Sequence, residues 1–142
     1  MPMKSILQKN KRVCLLCQIL HGDDHEQFTH CHHVVYGNAN RKLSEKYGLK
    51  IYLCPLHHEF SGEAVHRNRE INEMVIKASE IVFVTRHGFE KWMEVFGKNY
   101  LEEEEKLLRA DSVTEAVNAL IKTKEAAVFE ITDDPIPDGL PF

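Results

Sequence analysis

Cys14-Leu-Leu-Cys17 and Cys54-Pro-Leu-His57-His58 are the two stretches on which the fold turns. Each carries a pair of metal-ligating side chains with two residues between them, a spacing that lets both converge on one ion. Two such half-sites are the parts from which tetrahedral zinc centres are assembled. The pattern predicts a structural zinc held by Cys14, Cys17, Cys54 and His57. A centre of this kind contributes on the order of 10 kcal/mol to folding, and the segment between its halves needs that support because only two short strands are legible there. No apolar export signal opens the chain, so metal binding is expected ahead of disulfides, in a cytoplasmic setting. Cys31, outside both pairs, is expected to pack in the core beside the histidines around it.

Working outward, Phe28-Thr-His-Cys-His-His-Val-Val-Tyr36 is β-branched and aromatic enough for a strand, closed by Gly37. Asn40 is placed to cap a short helix from Arg41 to Tyr47, with Gly48 as its left-handed stop. Leu49-Lys-Ile-Tyr-Leu53 then reads as a second strand that delivers Cys54. A helical turn is expected from His57 to Phe60, broken by Ser61-Gly62. Beyond it Ile71, Met74, Val75, Ala78 and Val82, and then Phe89, Trp92, Met93 and Phe96, recur at helical spacing and define core faces. A capping box, Ser112-Val-Thr-Glu115, opens a further helix with Val113, Val117, Leu120 and Ile121 on one side. Past Lys124 periodicity fades, and the prolines of Asp133-Asp-Pro-Ile-Pro-Asp-Gly-Leu-Pro-Phe142 suggest a flexible acidic tail. The expected fold class is α+β: a zinc-stapled domain over residues 1–100, a helical extension over 101–125 and the tail over 126–142.

The chain has 142 residues, 43% of them hydrophobic, which suffices for one modest core. No apolar run approaches the roughly 20 residues of a membrane span, so no membrane role is expected. The net charge of −4 is unevenly spread. Residues 1–100 hold 14 Lys and Arg against 11 Asp and Glu, whereas residues 101–142 hold 4 against 11. The front half, with its basic lead Lys4, Lys9, Lys11 and Arg12, can approach a phosphate backbone; the acidic end cannot do so unaided.

Eight of the nine histidines fall between His21 and His66. His32-His33 on a strand, followed by Cys54-Pro-Leu-His57-His58 at a strand-to-helix junction, resembles the HNH family of His-Me finger nucleases with a treble-clef zinc. The likeness covers about residues 12–66, and His33-Val-Val-Tyr-Gly37, Arg41-Lys-Leu-Ser-Glu-Lys-Tyr-Gly-Leu49 and Val65-His66 are similar to small HNH proteins of phages and prophages. The resemblance implies a ββα-metal core in which His33 is the general base, and Asn38 or Asn40 is the candidate to orient it in place of the family's own Asn. It implies a second, catalytic divalent ion (Mg²⁺, Mn²⁺, Ni²⁺ or Zn²⁺) on His32 and His58, and His66 is the candidate to complete its shell. The chemistry is sound on its own terms, because imidazole has a pKa suited to deprotonating water near neutral pH. The family's usual Asn before the second zinc pair is missing here, where Gly48-Leu-Lys-Ile-Tyr52 stands instead, and so is its ligand four residues after the metal histidine. Arg41, Lys42 and Lys46 on the short helix are candidate DNA phosphate contacts.

The last ten residues are similar to the acidic tip of bacterial single-stranded-DNA-binding proteins. That likeness implies that Leu140, Pro141 and Phe142 dock on proteins that bind such tips. The expected function is a metal-dependent DNA endonuclease acting in phage-type recombination, replication or DNA processing. The alternative is a zinc-stapled adaptor that binds DNA or repair proteins without catalysis. A zinc deaminase is disfavoured, since His57-x-Glu59 is not followed by the Pro-Cys-x-x-Cys such sites use.

Overall fold

A computed structural model describes residues 3–35 and 38–133, with the side chains of Asn38 and of residues 126–133 excluded. The first helix, α1 (Leu15–His21), begins on Cys14, whose sulfur accepts from the Cys17 amide, and ends on Gly22 at φ 66°. Gly22 and Asp23 return their amides to the Gln18 and Cys17 carbonyls, the double closure of a helix that stops in the left-handed region. The cysteine pair is therefore a helix start, which fixes the direction of both sulfurs.

Strands β1 (His30–His33) and β2 (Lys50–Leu53) pair antiparallel, with His30 opposite Leu53, Cys31 opposite Tyr52, His32 opposite Ile51 and His33 opposite Lys50. Both are shorter than their β-branched flanks suggest, because Val34 and Val35 bend into the core at 0% and 2% exposure to meet α2 (Asn38–Tyr47). Asn40 lies inside α2, so it is not the cap expected of it. Gly48 does stop that helix, at φ 73°, and a Cβ there would lie 2.4 Å from the Lys4 carbonyl oxygen. The N-terminal segment is laid that closely along β2: the Ile6 amide donates to the Gly48 carbonyl, the Ser5 hydroxyl to the Lys50 carbonyl, and the Tyr52 amide to Gln8 Oε1.

After β2, residues Leu56–Phe60 form a single π-helical turn. Then come α3 (Arg69–His87), capped by Asn68 onto the Ile71 amide, and α4 (Phe89–Phe96). A 3₁₀ turn, Glu104–Leu107, leads to α5 (Val113–Asp133). Ser112 accepts from the Glu115 amide, while the Glu115 carboxylate reaches back to the Asp111 amide, so the capping box is made with its return bond one residue early. The apolar faces are buried as their spacing predicts, with Val75, Ala78, Val82, Trp92, Val113 and Val117 all fully enclosed. Ile121 is the exception, at 44% exposure.

Two further expectations need correction. Cys31 is exposed, because strand alternation gives the inward position to its neighbour His32. And α5 continues to Asp133, so residues 126–133 are helix where a flexible tail was expected. The stretch Glu125-Ala-Ala-Val-Phe-Glu130 contains no breaker; the first is Pro135, which disfavours helical geometry at the residue before it. The remaining tail, including Leu140, Pro141 and Phe142, lies outside the described residues. Among the described residues no helix is long and apolar enough to cross a membrane.

Candidate metal centres and the histidine site

The start of α1 and the end of β2 bring Cys14, Cys17, Cys54 and His57 together. His57 Nδ1 lies 3.5 Å from Cys14 Sγ, 3.4 Å from Cys17 Sγ and 3.5 Å from Cys54 Sγ, and the Cys17 and Cys54 sulfurs are 3.9 Å apart. A tetrahedral ion with metal–sulfur bonds of about 2.3 Å and metal–nitrogen bonds of about 2.0 Å has edges of about 3.8 Å between sulfurs and 3.5 Å between sulfur and nitrogen. The four donors match those edges. They lie close enough to hold a metal ion, in an arrangement compatible with structural zinc.

Burial pushes the Cys14 thiol up, and burial together with the neighbouring Cys14 thiol pushes Cys17 up to about 12. Thiols crowded in this way ionise when a cation balances them, so metal uptake would release protons. The opposite edge of His57 is also fixed: its Nε2 donates to Glu63 Oε1 at 3.0 Å, and the same oxygen takes His21 Nε2 at 2.8 Å. A carboxylate behind a ligating imidazole sets the tautomer and orients the ring.

One residue further along, the chain begins a second cluster. His32, His58 and His66 present ring nitrogens that all lie within 4.8 Å of one another. The loop that follows the π-helical turn accounts for His66. The segment after that turn folds back on it, the Val65 amide donating to the His57 carbonyl and the His66 amide to the His58 carbonyl, so a residue eight positions on returns beside its partner, with His66 Nε2 3.1 Å from His58 Nε2. The three rings pack edge to face at centroid distances of 4.7 to 5.3 Å. Burial, then the neighbouring imidazoles, lowers His32 to about 3, and burial lowers His58 as well. Both are thus neutral near pH 7, the form that ligates. His30 Nδ1 meets His58 Nδ1 at 3.0 Å, on the ring edge away from His66.

No family model, curated protein or solved structure matches the chain. Geometry alone therefore has to place the remaining residues. His30 and His32 share one face of the hairpin, both packing on His58, while Cys31 and His33 take the other. His33 Nε2 is 2.8 Å from Glu45 Oε1, and Lys50 Nζ is 2.7 Å from Glu45 Oε2. The contact that orients His33 comes from Glu45, five residues beyond Asn40 along α2. Hydrogen bonds from Lys50 first, then His33, hold the Glu45 carboxyl below its usual range. Arg41, Lys42 and Lys46 are exposed on α2, where they were expected.

Glu45 and Glu63 were missed in the sequence, and little could have flagged them. Each is a single acid on a polar stretch, indistinguishable by spacing from a solvated surface residue. His21 stacks on His57 and His30 Nδ1 meets His58 Nδ1, so each touches one of the candidate ligands.

Proposed function

We propose that this protein is a metal-dependent DNA endonuclease of the HNH kind, stapled by a structural zinc at Cys14, Cys17, Cys54 and His57. The observation that carries the reading is the convergence of His32, His58 and His66 next to a histidine, His33, already paired with a carboxylate. A divalent ion held by the trio would polarise a scissile phosphate and stabilise the leaving oxygen. A set of three imidazole ligands favours Ni²⁺ or Zn²⁺ over Mg²⁺, which prefers oxygen ligands.

The protein's own part is proton handling and placement. Glu45 accepts the Nε2 proton of His33 and so leaves Nδ1 with the free lone pair. That nitrogen takes a proton from water as the water oxygen attacks phosphorus and the bond from phosphorus to the leaving oxygen breaks. His32 and His33 point to opposite faces of β1, but β1 pairs only with β2 among the described residues. For one phosphate to meet both the trio and His33, it would have to lie over the edge of β1 that β2 does not cover.

The test is cleavage of supercoiled, linear, single-stranded and branched DNA across Mg²⁺, Mn²⁺, Ni²⁺ and Zn²⁺. The His33→Ala variant should lose cleavage while its metal content and circular dichroism stay as in the parent. Normal cutting by that variant would remove His33 from the chemistry. If the parent cuts no DNA form with any ion, the zinc-stapled adaptor replaces the nuclease.

A further inference from the structure

The basic lead of the chain is used neither by the zinc staple nor by the histidine trio. Its backbone is pinned on both sides: Ile6, Ser5 and Gln8 bond to the β2 side as described, and the Thr29 hydroxyl donates to the Lys11 carbonyl. Between this segment and the outward face of β2 lies a groove of about 450 Å³, lined by Lys4, Gln8, Lys9, Lys11, Lys50 and Tyr52 among others, with no carboxylate in the lining.

Lys50 is neutralised by Glu45, but Lys4, Lys9 and Lys11 are exposed, and none of the ion pairs among the described residues engages them. Three free ammonium groups are thus held by ordered backbone along one wall. Gln8 and the Tyr52 phenol add neutral polar groups. The groove also has a direction. Lys50 is the cross-strand partner of His33, and Tyr52 that of exposed Cys31, so its floor begins beside the proposed general base and leads away from it along β2.

We propose that this groove binds the phosphodiester backbone of nucleic acid, gripping phosphates that flank the one presented to His33. The ligand class follows from the chemistry. Spaced, unpaired lysines without a carboxylate suit a polyanion with a regular charge repeat, and each contact releases condensed counterions. The assignment rests on the nuclease reading for its orientation, though not for its existence.

The experiment compares the full-length His33→Ala protein with the same protein carrying Lys4→Gln, Lys9→Gln and Lys11→Gln, binding a fluorescent 30-base-pair duplex over a salt series. The lysine variant should bind at least tenfold more weakly at low salt, with a log–log salt slope shallower by about 2 to 3. Its thermal midpoint should not move, since all three side chains are in solvent. Added to the wild-type background, the same changes should raise KM for DNA and leave kcat as it was. An unchanged affinity and slope, or no DNA binding by the parent, overturns the proposal. Lysine-dependent binding without cleavage by the wild type keeps the groove and removes the nuclease. Cleavage with a KM indifferent to the lysines does the reverse.

Discussion

A carboxylate stands behind each of two histidines on which the proposed chemistry leans, Glu45 at Nε2 of His33 and Glu63 at Nε2 of His57. The same contact predicts different losses. Glu63→Gln should leave the protein folded but weaken the cysteine-site ion by about 10- to 100-fold, as removing such an outer partner does, read by competition against a chromogenic chelator. Glu45→Gln should leave metal content alone and lower the cleavage rate, again by roughly 10- to 100-fold. Glu80 is a third acid with a measurable consequence. It is fully buried in α3, one oxygen accepts the Tyr100 amide, and the other has no hydrogen-bond partner among the described residues. Burial raises its carboxyl to about 7. Because the folded state holds this proton more tightly than the unfolded chain, the stabilisation is complete below the ordinary carboxyl range and is lost as pH rises through about 7. The difference in unfolding free energy between pH 5 and pH 8 should therefore shrink in Glu80→Gln by on the order of 1–3 kcal/mol, a double difference in which any pH effect on the metal sites cancels.

At the scale of elements, the glycines separate conformational preference from crowding. Gly22 and Gly48 have similar positive φ, 66° and 73°, yet a Cβ at Gly22 meets nothing within 4 Å while one at Gly48 meets the Lys4 carbonyl. Gly22→Ala should cost about 1–2 kcal/mol for left-handed geometry, and Gly48→Ala distinctly more, because the N-terminal segment must also detach from β2. Urea unfolding of the two variants checks the order. These elements also mark what the sequence made legible. Helices α3, α4 and α5 were readable because their apolar residues repeat at 3.6, and Gly48 because a helix stop needs it. The strands were overread, since Val34 and Val35 suit a strand and a buried bend equally well. Cys31 was misplaced because burial statistics for cysteine carry no information about which face of a strand it occupies. The pairing of His33 with Glu45 depends on the register of β1 against β2 and on the angle of α2, neither of which local pattern contains. His66 could be suspected from residue type, but its return to His58 depends on the loop after the π-helical turn bonding back to the His57 and His58 carbonyls.

On the scale of the whole molecule, α5 adds Val113, Ala116, Val117 and Leu120 to the same apolar cluster as Leu15, Leu16, Leu53 and Phe83, and the Val113 amide bonds to the Leu7 carbonyl. The expected extension is thus part of the one core, and its loss should be felt at the zinc end. Stripping metal with a strong chelator at neutral pH should lower the thermal midpoint by more than about 10 °C, and Cys17→Ser should reproduce that loss without chelator. Both follow from a site whose binding free energy is folding free energy; an unshifted midpoint would show that packing alone holds the hairpin. His57 and His58 are consecutive, yet one faces the cysteines and the other the imidazoles. If both clusters take metal, a single peptide unit would join two sites of different hardness, and filling the thiolate site would steady the turn that bears His58, so the second site should gain affinity once the first is occupied. In a cobalt titration the sulfur charge-transfer bands should saturate before the spectrum of the nitrogen-ligated ion grows in.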